Sequence, residues 1–452
     1  MSLSNRLNRP ENSGLTPNTN TGLLKTVSGG TPDRVDQELL RGLVNEELKT
    51  KIGQFLYAGQ MDADTLESAV FAAIATVMEK GDYPLTDVDR AELVQQIVDD
   101  ILGNGPLEQL LRDPEVSEIM VIRYDSIYVE RKGKLTLAEL KFTSEDHLRK
   151  TIERIVGRVG RRIDESSPLV DARLLDGSRV NAVVPPIALD GANITIRKFF
   201  KEPFTTRDMI STGTVTVGAL TLLEACVRGR LNIVISGGTG SGKTTTLNVL
   251  SSFIPGDERI VTIEDSAELQ LNKPHVIRLE TRPANIEGSG VISIRDLVRN
   301  SLRMRPDRIV VGEVRDGAAL DMLQAMNTGH DGSLTTVHAN NPLDAVSRLE
   351  TMGLMAGMEL PVTVIRDQIV RAIDLIVQQS RLRDGSRRIT AITEIIRVEN
   401  GEVKIQDLYR FEYHATPQNG SLGQLRSTGA TPTFMTRLAE AGVTLQLEGA
   451  GQ

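Results

Sequence analysis

The sequence predicts an α/β fold in which a C-terminal domain with a mainly parallel sheet follows a smaller α+β domain and an N-terminal helical segment. After residue 217, apolar strand-like runs alternate with helical periodicity, which is typical of a parallel sheet with helices on both faces. Between about Ile119 and Lys198, short runs rich in Ile, Val and Tyr surround one predicted helix, from Ser144 to Val156, and indicate the α+β domain. Asp176-Gly177-Ser178 separates two of these runs and predicts a hairpin.

Composition shifts divide the chain further. The first residues are rich in Asn, Ser, Thr, Gly and Pro and offer almost nothing apolar to bury, so we expect disorder there. Pro203 and Gly213 lie in a stretch typical of a linker. The expected segments are a disordered tail at 1–34, a helical segment at 35–82, the α+β domain at 83–200, a linker at 201–216, the α/β domain at 217–414 and a flexible C-terminal tail at 415–452.

Charge and composition disfavour several classes of protein. The 52 Lys and Arg against 60 Asp and Glu give a net charge of −8, and aromatic residues make up only 3%, which argues against an extended nucleic-acid surface. The single cysteine, Cys226, excludes an intrachain disulfide framework and is interpreted as a small core residue. Because no apolar run is long enough to cross a bilayer and no apolar signal opens the chain, we expect a cytosolic protein without an integral membrane segment.

An apolar strand from Leu231 to Ser236 runs directly into a glycine-rich loop with the full pattern G-x-x-x-x-G-K-[ST]. Backbone N–H groups of such a loop, with the positive end of the following helix, surround the phosphates of ATP. Lys243 would reach the β- and γ-phosphates and Thr244 would ligate Mg²⁺; the alternative is a glycine-rich turn before an amphipathic helix. The predicted nucleotide-binding residues are Gly237, Gly238, Thr239, Gly240, Ser241, Gly242, Lys243, Thr244 and Thr245.

Two further predicted strands end in acidic residues. The run Ile309–Gly312 ends at Glu313, where a carboxylate facing the P-loop could orient and deprotonate the attacking water. The run Ile260–Ile263 is followed by three acids whose oxygens suit Mg²⁺ or a water. The alternative for Glu313 is a solvated glutamate after a buried strand, and for the three acids it is a solvated loop and helix N-cap. The three acids are Glu264, Asp265 and Glu268.

Two of the five histidines, His330 and His338, lie in the segment Gly329–Asn340. Their separation along an extended segment argues against a shared metal. We interpret His338, at a strand end, as a γ-phosphate contact; the alternative is a hydrogen-bonded structural histidine.

Together these segments resemble the secretion ATPase superfamily of type II and type IV secretion and type IV pilus systems. The stretches Asp171–Asn181 and Asn193–Lys198 resemble its Flp/Tad pilus branch, the CpaF-like proteins, although Ser266 stands where many members carry Pro. The motifs in the family's order are the Walker A loop at Gly237–Thr244, the Asp box at Thr262–Glu268, the Walker B glutamate Glu313 and the His box at Gly329–Asn340.

The resemblance implies an ATPase that uses Mg²⁺, with a RecA-like P-loop domain after a sensory-like α+β domain. It implies a homohexameric ring, cytoplasmic and peripheral at the inner membrane. Such rings act on an inner-membrane platform protein and thereby add pilin subunits to a filament or remove them.

Three arginines of the α+β domain, Arg173, Arg179 and Arg197, are candidates for an arginine finger. We expect at least one to reach the γ-phosphate, across the linker or from a neighbouring subunit, so that ATP draws the domains together. The alternative is a solvated strand face, or an ion pair with Asp171 or Asp176.

Two other functions share a P-loop. A RecA-like nucleic-acid translocase is disfavoured by the acidic net charge and the few aromatic residues, and we expect no direct nucleic-acid partner. An inactive nucleotide-binding assembly factor is disfavoured by the intact Lys243, Thr244 and Glu313.

Overall fold

In the computed structural model the chain divides into two compact units, Met1–Glu108 and Gln109–Gln452. The structure describes the backbone of residues 40–50 and 92–100 in part, and of residues 63–81, 103–131, 133–199, 204–282, 289–418 and 421–445. The tail predicted at 1–34 lies outside the described residues.

Helix α1 (Ala63–Lys80) is the main element of the first unit. Its buried residues recur three and four positions apart and therefore share one face. Lys80 Nζ lies 2.9 Å from Glu47 Oε2 at the surface. Among the described residues of this unit, one hydrophobic cluster consists of Leu40, Val44, Leu48, Val70, Ala73, Ile74 and Val77.

The second unit begins with an antiparallel sheet of six strands in the order β3-β2-β1-β6-β5-β4. The predicted hairpin at Asp176–Ser178 is confirmed, with Gly177 at φ +96° and Arg173 paired with Arg179. Ser144 caps the predicted helix by accepting a hydrogen bond from the His147 N–H at 3.1 Å. Helix α2 (Leu107–Arg112) spans the boundary between the units. The elements that follow it are β1 (Val116–Arg123), β2 (Ser126–Arg131), β3 (Lys134–Leu137), α3 (Glu145–Arg158), β4 (Leu169–Arg173), β5 (Arg179–Val183) and β6 (Asn193–Arg197).

A nine-stranded sheet follows, in the order β15-β14-β13-β12-β7-β11-β10-β8-β9. Its strands from β12 to β9 are parallel, as predicted, and β12 to β15 form an antiparallel extension. The strands are β7 (Ile233–Gly237), β8 (Ile260–Glu264), β9 (Val276–Glu280), β10 (Arg308–Val311), β11 (Leu334–Val337), β12 (Leu375–Arg381), β13 (Arg387–Glu399), β14 (Glu402–Gln418) and β15 (Ser421–Ser427).

Helices cover both faces of this sheet, so successive residues of its central strands enter different cores. Ile233 and Ile235 join one cluster, whereas Val234 joins the other. Burial on both faces is the expected state of a parallel sheet. The helices are α4 (Thr206–Ser211), α5 (Val217–Arg228), α6 (Lys243–Ser251), α7 (Ile294–Ser301), α8 (Ala318–Asn327), α9 (Pro342–Leu354), α10 (Val362–Ala372) and α11 (Met435–Glu440). No helix in the described part of the chain is long and apolar enough to span a membrane.

Two predicted irregular segments are ordered where the structure describes them. The predicted linker 201–216 contains α4, which Thr205 and Asp208 begin with a reciprocal capping box. The predicted flexible tail from 415 contains the end of β14, all of β15 and α11, and it buries Phe434 and Leu438 in a core cluster. The apolar surfaces that order the described parts of both segments are distant in sequence.

Candidate active site

The loops after β7, β8, β10 and β11 meet at one edge of the nine-stranded sheet, because parallel strands present their carboxyl ends together. The N-terminal sheet lies against this edge. A cleft of about 1120 Å³ is lined by residues of both sheets, including Arg197 from β6, Lys243 from the P-loop and Glu313 after β10.

The glycine-rich loop joins β7 to α6 as predicted. Gly240 and Gly242 have φ of +68° and +96°, a region that L-side chains rarely adopt, so glycine is required there. Glycine is also required at position 237, because a Cβ there would lie only 2.3 Å from the carbonyl oxygen of Gln379 and would clash with it. Thr239, Gly240, Gly242, Lys243, Thr244 and Thr245 line the cleft.

Lys243 Nζ donates to the carbonyl oxygens of Gly237 and Gly238, at 3.0 and 3.1 Å. Burial lowers the pKa of Lys243; the carboxylate of Glu313 opposes that shift, while the cations Arg197 and Arg315 add to it. Three cations therefore converge near the P-loop. Such a site favours a polyanion, which neutralises their mutual repulsion.

Glu264 ends β8 and is nearly buried, with 3% of its surface exposed. Its Oε2 accepts hydrogen bonds from the backbone N–H groups of Glu268 and Leu269, at 2.7 and 3.0 Å. Burial raises the pKa of Glu264, and those two hydrogen bonds oppose the shift. Its other oxygen, Oε1, is buried without a hydrogen-bond partner.

The predicted acids do not form one carboxylate cluster. Within the described ranges no three His, Cys, Asp or Glu side chains are grouped to hold a metal. Glu268 and Asp265 instead have arginine partners, Arg179 at 3.2 Å and Arg315 at 3.5 Å.

The cleft nevertheless fits Mg²⁺ held partly by nucleotide phosphates, as is usual in P-loop proteins. The orphaned Oε1 of Glu264 is an acceptor that needs a partner, and Thr244 supplies a hydroxyl at the start of α6. Both residues line the cleft. Asp265 and Glu268 also line the cleft, but their carboxylates lie beside arginines, so Thr244 and Glu264 are the two predicted residues that fit Mg²⁺ best.

The two histidines differ in position. His338 follows β11, is half-buried and lines the cleft, as expected for a residue near the phosphates. His330 lies before β11, where its Nδ1 is 3.2 Å from the carbonyl oxygen of Ala325, and it is not among the cleft residues.

A row of charged residues crosses the N-terminal sheet on the side of the cleft. Strand register pairs each member with the next, which places their side chains on one face. Cations occupy one end of the row and acids the other. The row runs Arg173, Arg179, Arg197, Glu118 and Glu130.

The cationic end of this row binds the loop after β8. Arg173 donates to the carbonyl oxygen of Ala267 at 2.7 Å and to Glu280 Oε2 at 2.9 Å. Arg179 donates to the carbonyl oxygen of Ser266 at 3.0 Å. Neither arginine forms the predicted alternative ion pair with Asp171 or Asp176.

Arg197 is the arginine of the row that remains a candidate for the arginine finger, because it is not bonded to the loop after β8. Its partner is Glu118 on the neighbouring strand, at 3.5 Å, and its side chain is 54% exposed. It lines the cleft together with Lys243, and its charge contributes to lowering the pKa of Lys243.

Comparison with known proteins places this architecture in a family. The profile described as "Type II/IV secretion system protein" matches residues 100–411, which include the whole N-terminal sheet, strands β7 to β13 and every loop of the cleft. The chain belongs to the type II/IV secretion system protein family. Its members are ATPases with a RecA-like P-loop domain, and so is this chain.

Individual relatives each cover about two thirds of the chain. A Mycobacterium tuberculosis protein whose name assigns it to conjugal transfer, Rv3659c, is 36% identical over 68% of this chain and 88% of its own length. Conjugal transfer protein TrbB of Rhizobium radiobacter is 34% identical over 69% of this chain and 91% of its own. The crystal structure of the Brucella suis VirB11 ATPase is 30% identical over 64% of this chain and 94% of its own, with a TM-score of 0.36.

Sequence reasoning missed three residues of this secretion ATPase site. Arg315 pairs with Glu313, and its place two residues after the Walker B glutamate was a usable signal. Gln379 accepts a hydrogen bond from Thr246 at 2.7 Å, and Arg387 donates to Gly240. No signal in the sequence could reveal these two, because β12 and β13 lie more than a hundred residues beyond the P-loop.

Proposed function

We propose that this ATPase is a motor that couples hydrolysis of Mg-ATP to movement of its N-terminal sheet against its P-loop domain. The observation that carries the proposal is the direct bonding of Arg173 and Arg179 to the Asp box beside the nucleotide cleft. Any shift of the Asp box on nucleotide binding or phosphate release would pull on the N-terminal sheet. Hydrolysis of ATP would thereby be coupled to movement of the N-terminal sheet.

The residues of the cleft divide the work of hydrolysis. Lys243 binds the β- and γ-phosphates, and Thr244 and Glu264 would hold Mg²⁺, which when bound would supply positive charge to neutralise them. Glu313 orients the attacking water and accepts its proton. Arg197 stabilises charge in the transition state, from its own chain or a neighbouring one, and His338 contacts the γ-phosphate.

We further propose that the chain works as a homohexamer at the cytoplasmic face of the inner membrane, on a platform protein of a Flp/Tad-type IV pilus. The likeness of Asp171–Asn181 and Asn193–Lys198 to CpaF-like proteins supports the pilus over other machines of the family. No direct nucleic-acid contact is expected.

Conjugal transfer through a type IV secretion system is the second candidate. The names of the M. tuberculosis and R. radiobacter relatives favour it. In that machine the same motor would act on a secretion platform rather than a pilus platform.

Counting pili by microscopy in a strain that lacks this protein, with transfer frequency measured in parallel, separates the two candidates. Loss of pili that wild-type protein restores and Lys243→Ala does not would support the pilus motor. Normal piliation with lost transfer would support the second candidate. An ATPase rate that rises on adding DNA would instead favour a nucleic-acid translocase.

A further inference from the structure

The acidic end of the charged row contacts a different part of the P-loop domain. Glu130 has a nearly buried side chain, 12% exposed, between two arginines of the β12–β13 hairpin. Its carboxylate oxygens lie 3.8 Å from Arg381 and 3.7 Å from Arg387. Arg381 also donates to the carbonyl oxygen of Gly133, at the tip of the β2–β3 hairpin. Glu130 is shielded from water, so its charge is screened less than an exposed one, although the side chains of Arg381 and Arg387 are 34% and 44% exposed.

The β12–β13 hairpin packs directly against the P-loop. Arg387 Nε donates to the carbonyl oxygen of Gly240 at 2.9 Å. On the neighbouring strand, the backbone oxygen of Gln379 lies so close to Gly237 that no side chain fits there. A continuous chain of contacts therefore runs from Glu130 through Arg387 to Gly240.

We propose that Glu130 is a positioning residue for the phosphate-binding loop, acting through Arg387. A P-loop binds phosphate when its backbone N–H groups point at the anion. A guanidinium that holds the Gly240 carbonyl from outside the loop favours this arrangement, and Glu130 fixes that guanidinium. Nucleotide affinity thereby depends on where the N-terminal sheet sits.

This coupling rests on the proposed function but is separate from the arginine finger. Arg197 acts on the chemical step, whereas Glu130 and Arg387 act on the conformation of the empty or occupied loop. Removal of either should therefore alter nucleotide affinity more than turnover at saturating ATP.

A double-mutant cycle measures the coupling. Isothermal titration of Mg-ADP would compare wild type, Glu130→Gln, Arg387→Gln and the double variant. We expect each single change to weaken affinity by roughly three- to tenfold, and the double variant to bind no more weakly than the worse single one. The matched controls are Arg383→Gln and Glu139→Gln, at exposed positions nearby in the chain, and both should bind as wild type does.

Hydrogen exchange supplies a readout that needs no nucleotide. The amides of residues 237–245 should exchange faster in Glu130→Gln than in Glu139→Gln, although Glu130 lies in the other sheet. Arg387→Lys keeps the positive charge but lacks Nε, so it should show the same faster exchange and weaker binding even if Arg387→Gln folds poorly. Single variants that match their controls, or losses that multiply in the double variant, would overturn the coupling. Failure of wild-type protein to bind Mg-ADP would instead count against the proposed function.

Discussion

Arg315 donates two hydrogen bonds, from Nε at 2.9 Å and from Nη2 at 2.6 Å, to a single oxygen of Glu313, Oε2. The Arg315 side chain is 63% exposed, so the pair can open without leaving a cation buried. Glu313 must give up this partner, or turn its other oxygen to the water, before it can act as a base. The Glu313 carboxylate thus lies in the cleft but is hydrogen-bonded to Arg315.

Lys243→Ala should abolish detectable nucleotide binding as well as turnover. The change removes the cation that neutralises the β- and γ-phosphates. Titration with Mg-ATP and a phosphate-release assay would measure the two effects, with Lys134→Ala on an exposed strand as control. Near-normal hydrolysis by Lys243→Ala would end the P-loop assignment.

Glu313→Gln should bind ATP yet hydrolyse it on the order of a hundredfold more slowly, because glutamine keeps the shape of the side chain but cannot accept a proton. A binding titration measures the affinity for ATP, and single-turnover phosphate release measures the rate of hydrolysis separately. If the variant hydrolysed ATP at the wild-type rate, Glu313 would be structural and Glu264 the better candidate for the base.

Arg197→Ala should leave ATP affinity largely intact and lower turnover by roughly a hundredfold. Arg173→Ala, in the same row but bonded to the Asp box, should have a much smaller effect on turnover in solution. Wild-type turnover by Arg197→Ala would remove it from the mechanism.

Mixing Arg197→Ala subunits with Glu313→Gln subunits tests whether Arg197 acts on the active site of its own chain or of a neighbouring subunit. Partial recovery of ATPase activity means that it acts across a subunit interface, where some sites combine both intact groups. No recovery in rings that demonstrably mix means that it serves its own chain.

Glu264→Gln should change how stability depends on pH. Burial raises the pKa of Glu264 above its ordinary value of 4.5, so the folded chain holds this proton more tightly than the unfolded chain does. Its contribution to stability is therefore full below pH 4.5 and is lost as pH rises through the raised pKa. Relative to wild type, the melting temperature of the variant should therefore rise between pH 4.5 and neutral pH in chelator. If the difference in melting temperature between the variant and wild type did not change with pH, Glu264 would not be a buried group with a raised pKa.

Leu438→Ala should destabilise the P-loop domain by about 2–5 kcal/mol, because Leu438 is 1% exposed and fills a core from α11. Leu175→Ala, at a residue that is 93% exposed, is the matched control. Denaturant unfolding would measure both. Equal, small effects would mean that the C-terminal helix does not dock.

The sequence predicted local features well because their signals are local. A Gly-rich loop between a strand and a helix, as at Gly237–Thr244, has one common structural solution, and Glu264, Glu313 and His338 follow apolar runs that end at a shared edge. Parallel packing then brings these ends together without further information. The order of the motifs along the chain was enough to predict the fold class and the family.

Tertiary structure decided the partners of each charge. Arg173, Arg179, Arg197, Glu118 and Glu130 form a row only because antiparallel register aligns five strands. Arg387 reaches Gly240 because β13 lies next to β12, which lies beside β7. The C-terminal segment is ordered because its Leu438 and Phe434 meet apolar surface from distant elements. Composition and spacing describe what a residue can bind, but strand order and register determine which groups lie within a few ångströms of it, and electrostatic and packing energies depend on that distance.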